Sequence, residues 1–431
     1  MTKQQVSFFW FRRDLRLEDN VGLYHALQSD YPVIPLFIFD DAILDSLPKN
    51  DARVGFIHES LAKINSQLLE IGSSLLVKKG KTNTVWQSLI AEFDIKEVFF
   101  NKDYEPYAIQ RDLSICKLLQ SNNAITHSFK DQVIFEEKEI TKADGLPYTV
   151  YTPYKNKWLE KYKTMAPIPE YDASVCFSNF HKNTFAFPSL AEIGFDESPI
   201  KVKPHNLTKI GNYHETRDFP AVDSTSYLSP HLRFGTVSIR KLVNWAARKN
   251  DVFLSELIWR EFFMQILFSF PKVVDQNFKS AYDGIQWRNN EEDFKRWCTG
   301  TTGYPMVDAG MRQLNETGYM HNRVRMVVAS FLCKHLLIQW QWGESYFAEK
   351  LLDYELSANV GNWQWAAGTG CDAAPYFRVF NPDIQLKKFD EKGIYIRKWI
   401  PEFDLGYGKP MVDHAMARDR AIATYKEGIL K

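Results

Sequence analysis

Two stretches of helical spacing carry the groups best suited to chemistry. In SELIWREFFMQILFSF, which starts at Ser255, Glu256, Trp259 and Arg260 stand at i, i+3 and i+4, so an acid, an indole and a guanidinium share one helix face. In MHNRVRM the spacing recurs at Asn322, Arg325 and Met326, with Arg323 beside them. Such a face suits a ligand that combines π-surface, hydrogen-bond acceptors and charge. Taken singly, the first face reads more readily as an i, i+4 Glu-to-Arg surface pair beside a partly buried Trp, and the second face is what raises the case for a shared pocket. A third segment, LLDYELSANVGNWQWAAGTGCDAAPYFRVFNP from residue 351, adds Asp353, Glu355, Asn359, Trp363 and Trp365 among Gly361, Gly368 and Gly370. The glycines would let backbone approach a flat ligand, and the acids could accept from hydroxyls or from Arg325.

Other chemistries lack their residues. The five cysteines are far apart with no C-x-x-C pair, the histidines show no ligand spacing, and H-E-x-x-H is missing, so no metal site is expected. Nucleophile elbow, Walker loop and kinase loops are also missing. An aromatic pocket remains, pointing to a redox cofactor that performs the difficult step itself. Nine of the 12 tryptophans follow residue 244, which concentrates that aromatic surface in one part of the chain, although a heavily aromatic core would look the same. Charge does not name a partner: 53 basic and 53 acidic residues cancel.

At 431 residues the chain is long enough for two or three domains. Up to about residue 130, strand-like runs at 6–11, 33–39, 74–78, 98–101 and 125–129 alternate with amphipathic segments at 21–28, 53–71, 82–93 and 107–120. That order implies a doubly wound parallel sheet in an α/β domain over 1–130. The turn FRRDLRLEDN after the first strand has no glycine, so it is not a dinucleotide cradle, and its charges read as an ion-paired corner. Residues 131–204, rich in Pro, Tyr, Lys and Asp, read as a long surface connector, and 205–431 as an all-helical domain. The longest apolar stretch, 326–340, is interrupted by Lys334 and His335, so no membrane span is expected. The apolar run before the first arginines is too short for a secretory signal, and a cytoplasmic location is expected.

Five motifs together resemble the DNA photolyase/cryptochrome family: WFRRDLRLEDN at 10–20, RDFPAVDSTSYLSPHLRFG at 217–235, ELIWREFF at 256–263, TGYPMVDAGMRQLNETGYMHNRVRM at 302–326, and the 351–382 segment. The match runs in order over nearly the whole chain and is most similar to class I cyclobutane pyrimidine dimer photolyases. The resemblance implies an α/β domain joined by a connector to a helical FAD-binding domain, and light-driven repair of cyclobutane dimers by excited reduced FAD. The alternative within the family is a blue-light photoreceptor with the same fold and flavin. Such receptors usually add a long C-terminal tail, and this chain ends soon after KWIPEF, which favours repair.

Position by position, the resemblance implies that Tyr213, Thr225, Ser226, Leu228 and Ser229 hold the FAD phosphates and ribityl chain. Arg260, Asn322, Arg325, Asp353 and Glu355 would surround the isoalloxazine and adenine, with Asn359 near the flavin N5. Glu256 matches the acid that hydrogen-bonds the damaged base, Trp259, Met326 and Trp365 match walls of the substrate cavity, and Arg217, Arg323, Arg378 and Gln385 match contacts to DNA. Trp363, Trp340 and Trp287 match the relay that reduces the flavin under illumination. UV-damaged DNA is the implied partner of a monomeric protein. A second, light-harvesting chromophore is implied in the N-terminal domain; NKDYEPYAIQRD lacks an acid at Tyr107-Ala108 and looks closer to deazaflavin than to folate binders.

Overall fold

Apolar side chains on both faces of the first strand dictate the architecture of the N-terminal part. In the computed structural model, which describes residues 3–429, five strands form one parallel sheet in the order β3-β2-β1-β4-β5. They are β1 Gln5–Phe11, β2 Val33–Asp40, β3 Leu76–Gly80, β4 Asp94–Asn101 and β5 Ile125–Phe129. The connecting helices are α1 Val21–Ala26, α2 Asp41–Leu44, α3 Ala52–Glu70, α4 Thr82–Glu92 and α5 Pro106–Gln120. Because side chains alternate along a strand, Phe9, Phe11, Phe37 and Phe39 bury against Leu61, Ile64 and Leu68 of α3. Phe8, Trp10, Leu36 and Ile38 bury on the opposite face against Trp86 and Leu89 of α4 and Ile115 and Leu119 of α5. A parallel sheet covered on both sides produces the near-continuous apolar runs seen in the sequence. The expected strands and helices are present, with ends shifted by a few residues: β3 begins at Leu76 and β4 at Asp94, and α1 stops at Ala26.

The turn after β1 is an ion-paired corner. Asp14 accepts from the Arg12 backbone N–H at 2.7 Å and from Asn101 Nδ2 at 2.6 Å, while the Arg12 guanidinium lies over the rings of Trp10 and Phe100. Arg16 Nη2 donates to both carboxylate oxygens of Asp131 at 2.8 Å. Arg240 adds a second guanidinium, with Nη2 to Asp131 at 2.8 Å and Nε to Asp19 at 3.0 Å. Burial alone would raise the Asp131 carboxyl, but Arg16 and Arg240 outweigh it and hold it below the usual carboxylate range.

The chain divides into two compact units that do not follow the boundaries expected at 130 and 204. The first comprises 1–139, 158–205 and 227–248; the second comprises 140–157, 206–226 and 249–431. Residues 227–248 group with the sheet because Leu15 N–H donates to the Phe234 carbonyl at 3.1 Å and Arg240 enters the Asp19/Asp131 cluster. Gly235, at φ +65°, is required there: a Cβ would lie 2.1 Å from the Arg13 carbonyl oxygen. Nor is 131–204 a plain connector. It contains the helix Tyr151–Met165, whose Tyr151, Tyr154, Trp158 and Tyr162 recur at i, i+3, i+7 and i+11 and are buried. Pro153, in the first turn where its missing N–H costs nothing, masks that helix in the sequence.

Among the described residues the second unit forms helices and no strand, as expected for the C-terminal part. Its site-bearing helices are Asp251–Ser269, Asn322–Ser330, Trp340–Lys350 and Leu356–Ala367, with Pro305–Thr317 behind them in one apolar core. Asn250, His321 and Glu355 cap three of these helices by accepting backbone N–H bonds in the first turn. No helix among the described residues is long and apolar enough to cross a membrane.

Asp131→Ala would leave two buried guanidiniums short of an acceptor and should cost about 3–5 kcal/mol of unfolding free energy in urea titrations. Because the folded value of Asp131 is depressed, its contribution is present above the ordinary carboxylate range and is lost as pH falls through the folded value, so the acid limb of stability should flatten in the variant.

Candidate functional site

The cleft of the second unit is built around the helix Leu356–Ala367. Glu355 accepts from Ala358 N–H at 2.9 Å and from Ser357 Oγ at 2.5 Å, which starts the helix that carries Asn359, Trp363 and Trp365. Opposite them stands the helix Asn322–Ser330, whose Arg325 donates through Nη2 to Asp353 at 2.9 Å and through Nε to the Met320 carbonyl at 2.8 Å. Asn322, Arg325, Met326, Asp353, Glu355, Asn359, Trp363 and Trp365 therefore line a single cleft of about 620 Å³, open solvent at its mouth included. Two amides, two acids, a guanidinium and two indoles converge on it, the few polar groups and flat apolar walls of a ligand site.

Glu256 is not committed to a surface pair on its own helix alone. It binds Arg217 Nη1 at 2.6 Å, across 39 residues of sequence. Arg217 also lies over the Tyr213 ring at 5.3 Å, and burial pushes the Tyr213 phenol up to about 12. Trp259 stacks on Tyr151 with centroids 3.6 Å apart and planes 8° from parallel, and Tyr151 OH bonds Ser255. Arg323 donates through Nη2 to Asp218 at 2.6 Å and covers the Phe389 ring at 4.4 Å. Arg260 is half-buried on the same helix as Glu256 and Trp259.

Other expected positions are more scattered. Thr225 and Ser226 belong to the second unit, where the Ser226 carbonyl accepts from Asn206 N–H at 2.8 Å. Leu228 and Ser229 instead open the helix Leu228–Phe234, which belongs to the first unit. Arg378 is exposed, and Gln385 is half-buried in the helix Pro382–Phe389. Of the three relay tryptophans, Trp363 is buried edge-on to Phe347 at 5.0 Å, and Trp340 is buried with its indole N–H on Asn277 Oδ1 at 2.9 Å. Trp287 is half-buried and edge-on to Tyr425 at 5.7 Å.

The glycines do internal work, not the ligand approach expected of them. A Cβ on Gly361 would fall 2.2 Å from the Phe263 ring, Gly368 ends the helix at φ +93°, and Gly370 packs on the Gln364 backbone.

Several residues of the site escape sequence reasoning. Glu344 accepts from Asn359 Nδ2 at 2.9 Å and so fixes that amide; burial raises the Glu344 carboxyl above its usual range. Ser224, one residue before Thr225, has a buried hydroxyl without a partner among the described residues, as a segment awaiting a phosphate or hydroxyl would. Tyr151 and Asp218 are the stacking and ion-pair partners of predicted residues. Only the Tyr151 helix had a readable signal, its aromatic i, i+3, i+7 spacing.

Two family models match the chain: the DNA photolyase model over residues 7–172 and the FAD binding domain of DNA photolyase over residues 253–405. A deoxyribodipyrimidine photo-lyase of Agrobacterium fabrum strain C58 is 37% identical, with 96% of each chain covered. Among solved structures, a class III photolyase of Agrobacterium tumefaciens superposes at TM-score 0.87 and 33% identity, covering 100% of this chain and 99% of that one. A Sulfolobus tokodaii photolyase described with two FAD molecules superposes at TM-score 0.81 and 33% identity, covering 98% and 100%.

Glu344→Ala removes one of the two acceptors that fix Asn359, leaving the backbone carbonyl of residue 344 at 3.1 Å, and should cost about 1 kcal/mol, with weakened flavin retention on gel filtration. Glu344→Gln keeps an acceptor oxygen. In the wild type the folded protein holds a proton there that the unfolded chain has already lost, so stability falls as pH rises from the ordinary carboxylate range to the raised value. The Gln variant should retain flavin and melt higher than wild type at pH 8.

Proposed function

The chain belongs to the DNA photolyase family, and from that membership we propose that it repairs cyclobutane pyrimidine dimers in DNA, using light and an FAD held in its helical unit. The observation that carries this reading is the convergence of Asn322, Arg325, Asp353, Glu355 and Asn359 with Trp363 and Trp365 on one cleft, inside the segment that matches an FAD binding domain. Bound in its reduced form and excited by light, FAD supplies the electron that opens the cyclobutane ring and takes it back, so no net oxidation results.

The chain's own residues bind and orient. Arg325, locked to Asp353, presents a fixed edge to the flavin; Asn359, locked by Glu344, presents its amide at a fixed position. Within the second unit Ser224 joins Tyr213, Thr225 and Ser226 as a candidate for the phosphates and ribityl chain, and Arg260 completes the flavin surround. Photolyases act on a dimer extruded from the duplex, a property taken over from the family. Trp259, backed by the stacked Tyr151, Met326 and Trp365 form flat apolar walls for it, and Asn322 and Glu256 supply polar contacts. A carboxyl group that donates a hydrogen bond to the pyrimidine carbonyl in a water-poor cleft would stabilise the negative charge as it develops there. Arg217, Arg323, Arg378 and Gln385 meet the strand on either side. Trp363, Trp340 and Trp287 are assigned the relay that keeps the flavin reduced.

The sequence motifs favour class I, whereas a class III enzyme superposes over the whole chain, so the reading stands on the family and its lesion. A second chromophore belongs, on this reading, at the C-terminal edge of the sheet, where the strand order reverses between β1 and β4 and Tyr107 OH bonds Asp40 at 2.5 Å. Deazaflavin and folate types are the candidates, and the two FAD molecules of the Sulfolobus protein add a flavin.

Two experiments test the reading. Repair of a (6-4) lesion needs a proton donor to move a hydroxyl between bases, and Asn322 and Met326 offer an amide and a thioether. With two oligonucleotides, each bearing one defined lesion, the reduced and illuminated protein should restore the cyclobutane dimer and leave the (6-4) product essentially untouched; comparable rates on both would refute the pocket assignment. Trp287→Phe should strongly slow photoreduction of oxidised flavin while repair by chemically pre-reduced protein stays near wild type, as followed by flavin absorbance and lesion loss. Equal photoreduction would return Trp287 to core packing.

A further inference from the structure

The dipeptide Arg217-Asp218 presents opposite charges to two different helices. Arg217 Nη1 pairs with Glu256 of the helix Asp251–Ser269 at 2.6 Å, and Asp218 Oδ1 pairs with Arg323 Nη2 of the helix Asn322–Ser330 at 2.6 Å. Each pair ties up a group that repair would use: the acid for the flipped pyrimidine and a guanidinium for the strand.

The Arg323 end is incompletely satisfied. Its Nη1 meets only the weak acceptor Met326 Sδ at 3.7 Å, and its Nε is buried without a partner among the described residues. A guanidinium binds phosphate best through a fork of two parallel N–H bonds. Asp218 occupies the Nη2 prong and leaves the Nε prong empty, while Phe389 at 4.4 Å fixes the plane of the fork. The side chain of Asp218 is 38% accessible and that of Arg323 19%, so the carboxylate is the outer member of the pair and the one an arriving anion displaces.

We propose that Asp218 is a specificity-determining residue: it holds Arg323 in reserve, so that Arg323 engages a DNA phosphate only when a lesion enters the cavity. Undamaged duplex offers phosphates but places no base against Glu256, and the clasp stays shut. A dimer in the cavity draws Glu256 from Arg217, the dipeptide swings away, and Asp218 leaves with it. This rests on the reading of Arg323 as a DNA contact.

Salt dependence of binding tests it, because each phosphate neutralised adds about 0.9 to the slope of log K against log salt. Flavin-loaded wild type, Asp218→Asn and Arg323→Ala are titrated in the dark with two duplexes of one sequence, with and without a single cyclobutane dimer. For wild type, the slope should be steeper on dimer DNA by about 0.9 per arginine released, one or two in all. Asp218→Asn frees Arg323 for any DNA: the slope on undamaged duplex should steepen by about 0.9, with affinity several-fold tighter, while the slope on dimer DNA is unchanged. Asp218→Ser should behave alike, and melting temperature and flavin content report folding for both. Equal wild-type slopes on the two duplexes, an Asp218→Asn slope unchanged on undamaged DNA, or a slope that steepens equally on both would each overturn the proposal. Arg323→Ala separates the two failures: if it leaves the slope on dimer DNA unchanged, the DNA-contact reading itself falls, whereas a reduced slope with silent Asp218 variants sinks only the clasp.

Discussion

Everything in the cleft depends on how the end of one helix is held. At the C-terminus of Leu356–Ala367 the carbonyl of Ala367 accepts from Lys334 Nζ at 2.8 Å and from Tyr425 OH at 2.7 Å. The same ammonium donates to the Tyr376 carbonyl at 3.2 Å and lies 3.7 Å over the Tyr425 ring. A cation at a helix C-terminus is favourable, but burial opposes it and lowers the Lys334 ammonium to about 7. The group is kept where its loss would leave the Tyr376 carbonyl without this donor and the Ala367 carbonyl with Tyr425 OH alone. With its far end pinned, the helix is also gripped along its length: Gly343 admits the Trp363 ring to a distance at which a Cβ would stand 2.1 Å away, and Gly361 does the same for Phe263. Glu355, Asn359, Trp363 and Trp365 ride on an element with little freedom to shift, as a site for a rigid flat cofactor demands.

The balanced net charge of the whole chain has a local counterpart. Three arginines of the second unit each sit on a carboxylate: Arg217 on Glu256, Arg323 on Asp218, and Arg325, in the cleft, on Asp353. These pairs differ in depth. The Asp353 side chain is 7% accessible, so that pair is part of the framework, while Glu256 and Asp218 at 32% and 38% remain within reach of an arriving ligand. A surface that binds a polyanion through arginines already paired gains selectivity from what must be displaced, because exchanging one anion for another yields less net energy than capturing a bare charge.

What the sequence disclosed follows from the range over which its signals act. Periods of 2 and 3.6 are local, so the parallel sheet, its helices and the shared faces of Glu256, Trp259 and Arg260 or of Asn322, Arg325 and Met326 are legible. The ion-paired nature of the FRRDLRLEDN corner is legible for the same reason, although its partner Arg240 lies more than 200 residues away. Pairings across long separations left no local trace. Asp218 with Arg323 spans 105 residues, and Glu344 stands 15 residues from Asn359 on another helix. The unit boundaries were hidden likewise, since what moves 227–248 to the sheet is a backbone bond from Leu15 and a buried guanidinium. The glycines misled because a close approach to a ligand and a close approach to an indole have one and the same sequence signature.

Electrostatics around the substrate wall reinforces what residue types alone suggest about the lesion. The histidine next to Asn322 is His321, which caps its helix by accepting Arg323 N–H at Nδ1, at 3.2 Å, so its proton resides on Nε2. Burial lowers its pKa most; Asp218 pulls the other way, and Arg325, Arg323 and Arg217 press it further down, to about 4. Across the physiological range this imidazole is neutral and its tautomer is fixed by the cap. A proton on Nε2 of a neutral ring is a hydrogen-bond donor but not an available acid, since giving it up would require forming an imidazolate. Burial above all, with Arg325 and the two strand-contact candidates Arg323 and Arg217 adding to it, keeps the adjacent histidine from serving as a proton source. A pocket built this way suits a reaction in which an electron arrives and leaves and no proton has to be delivered.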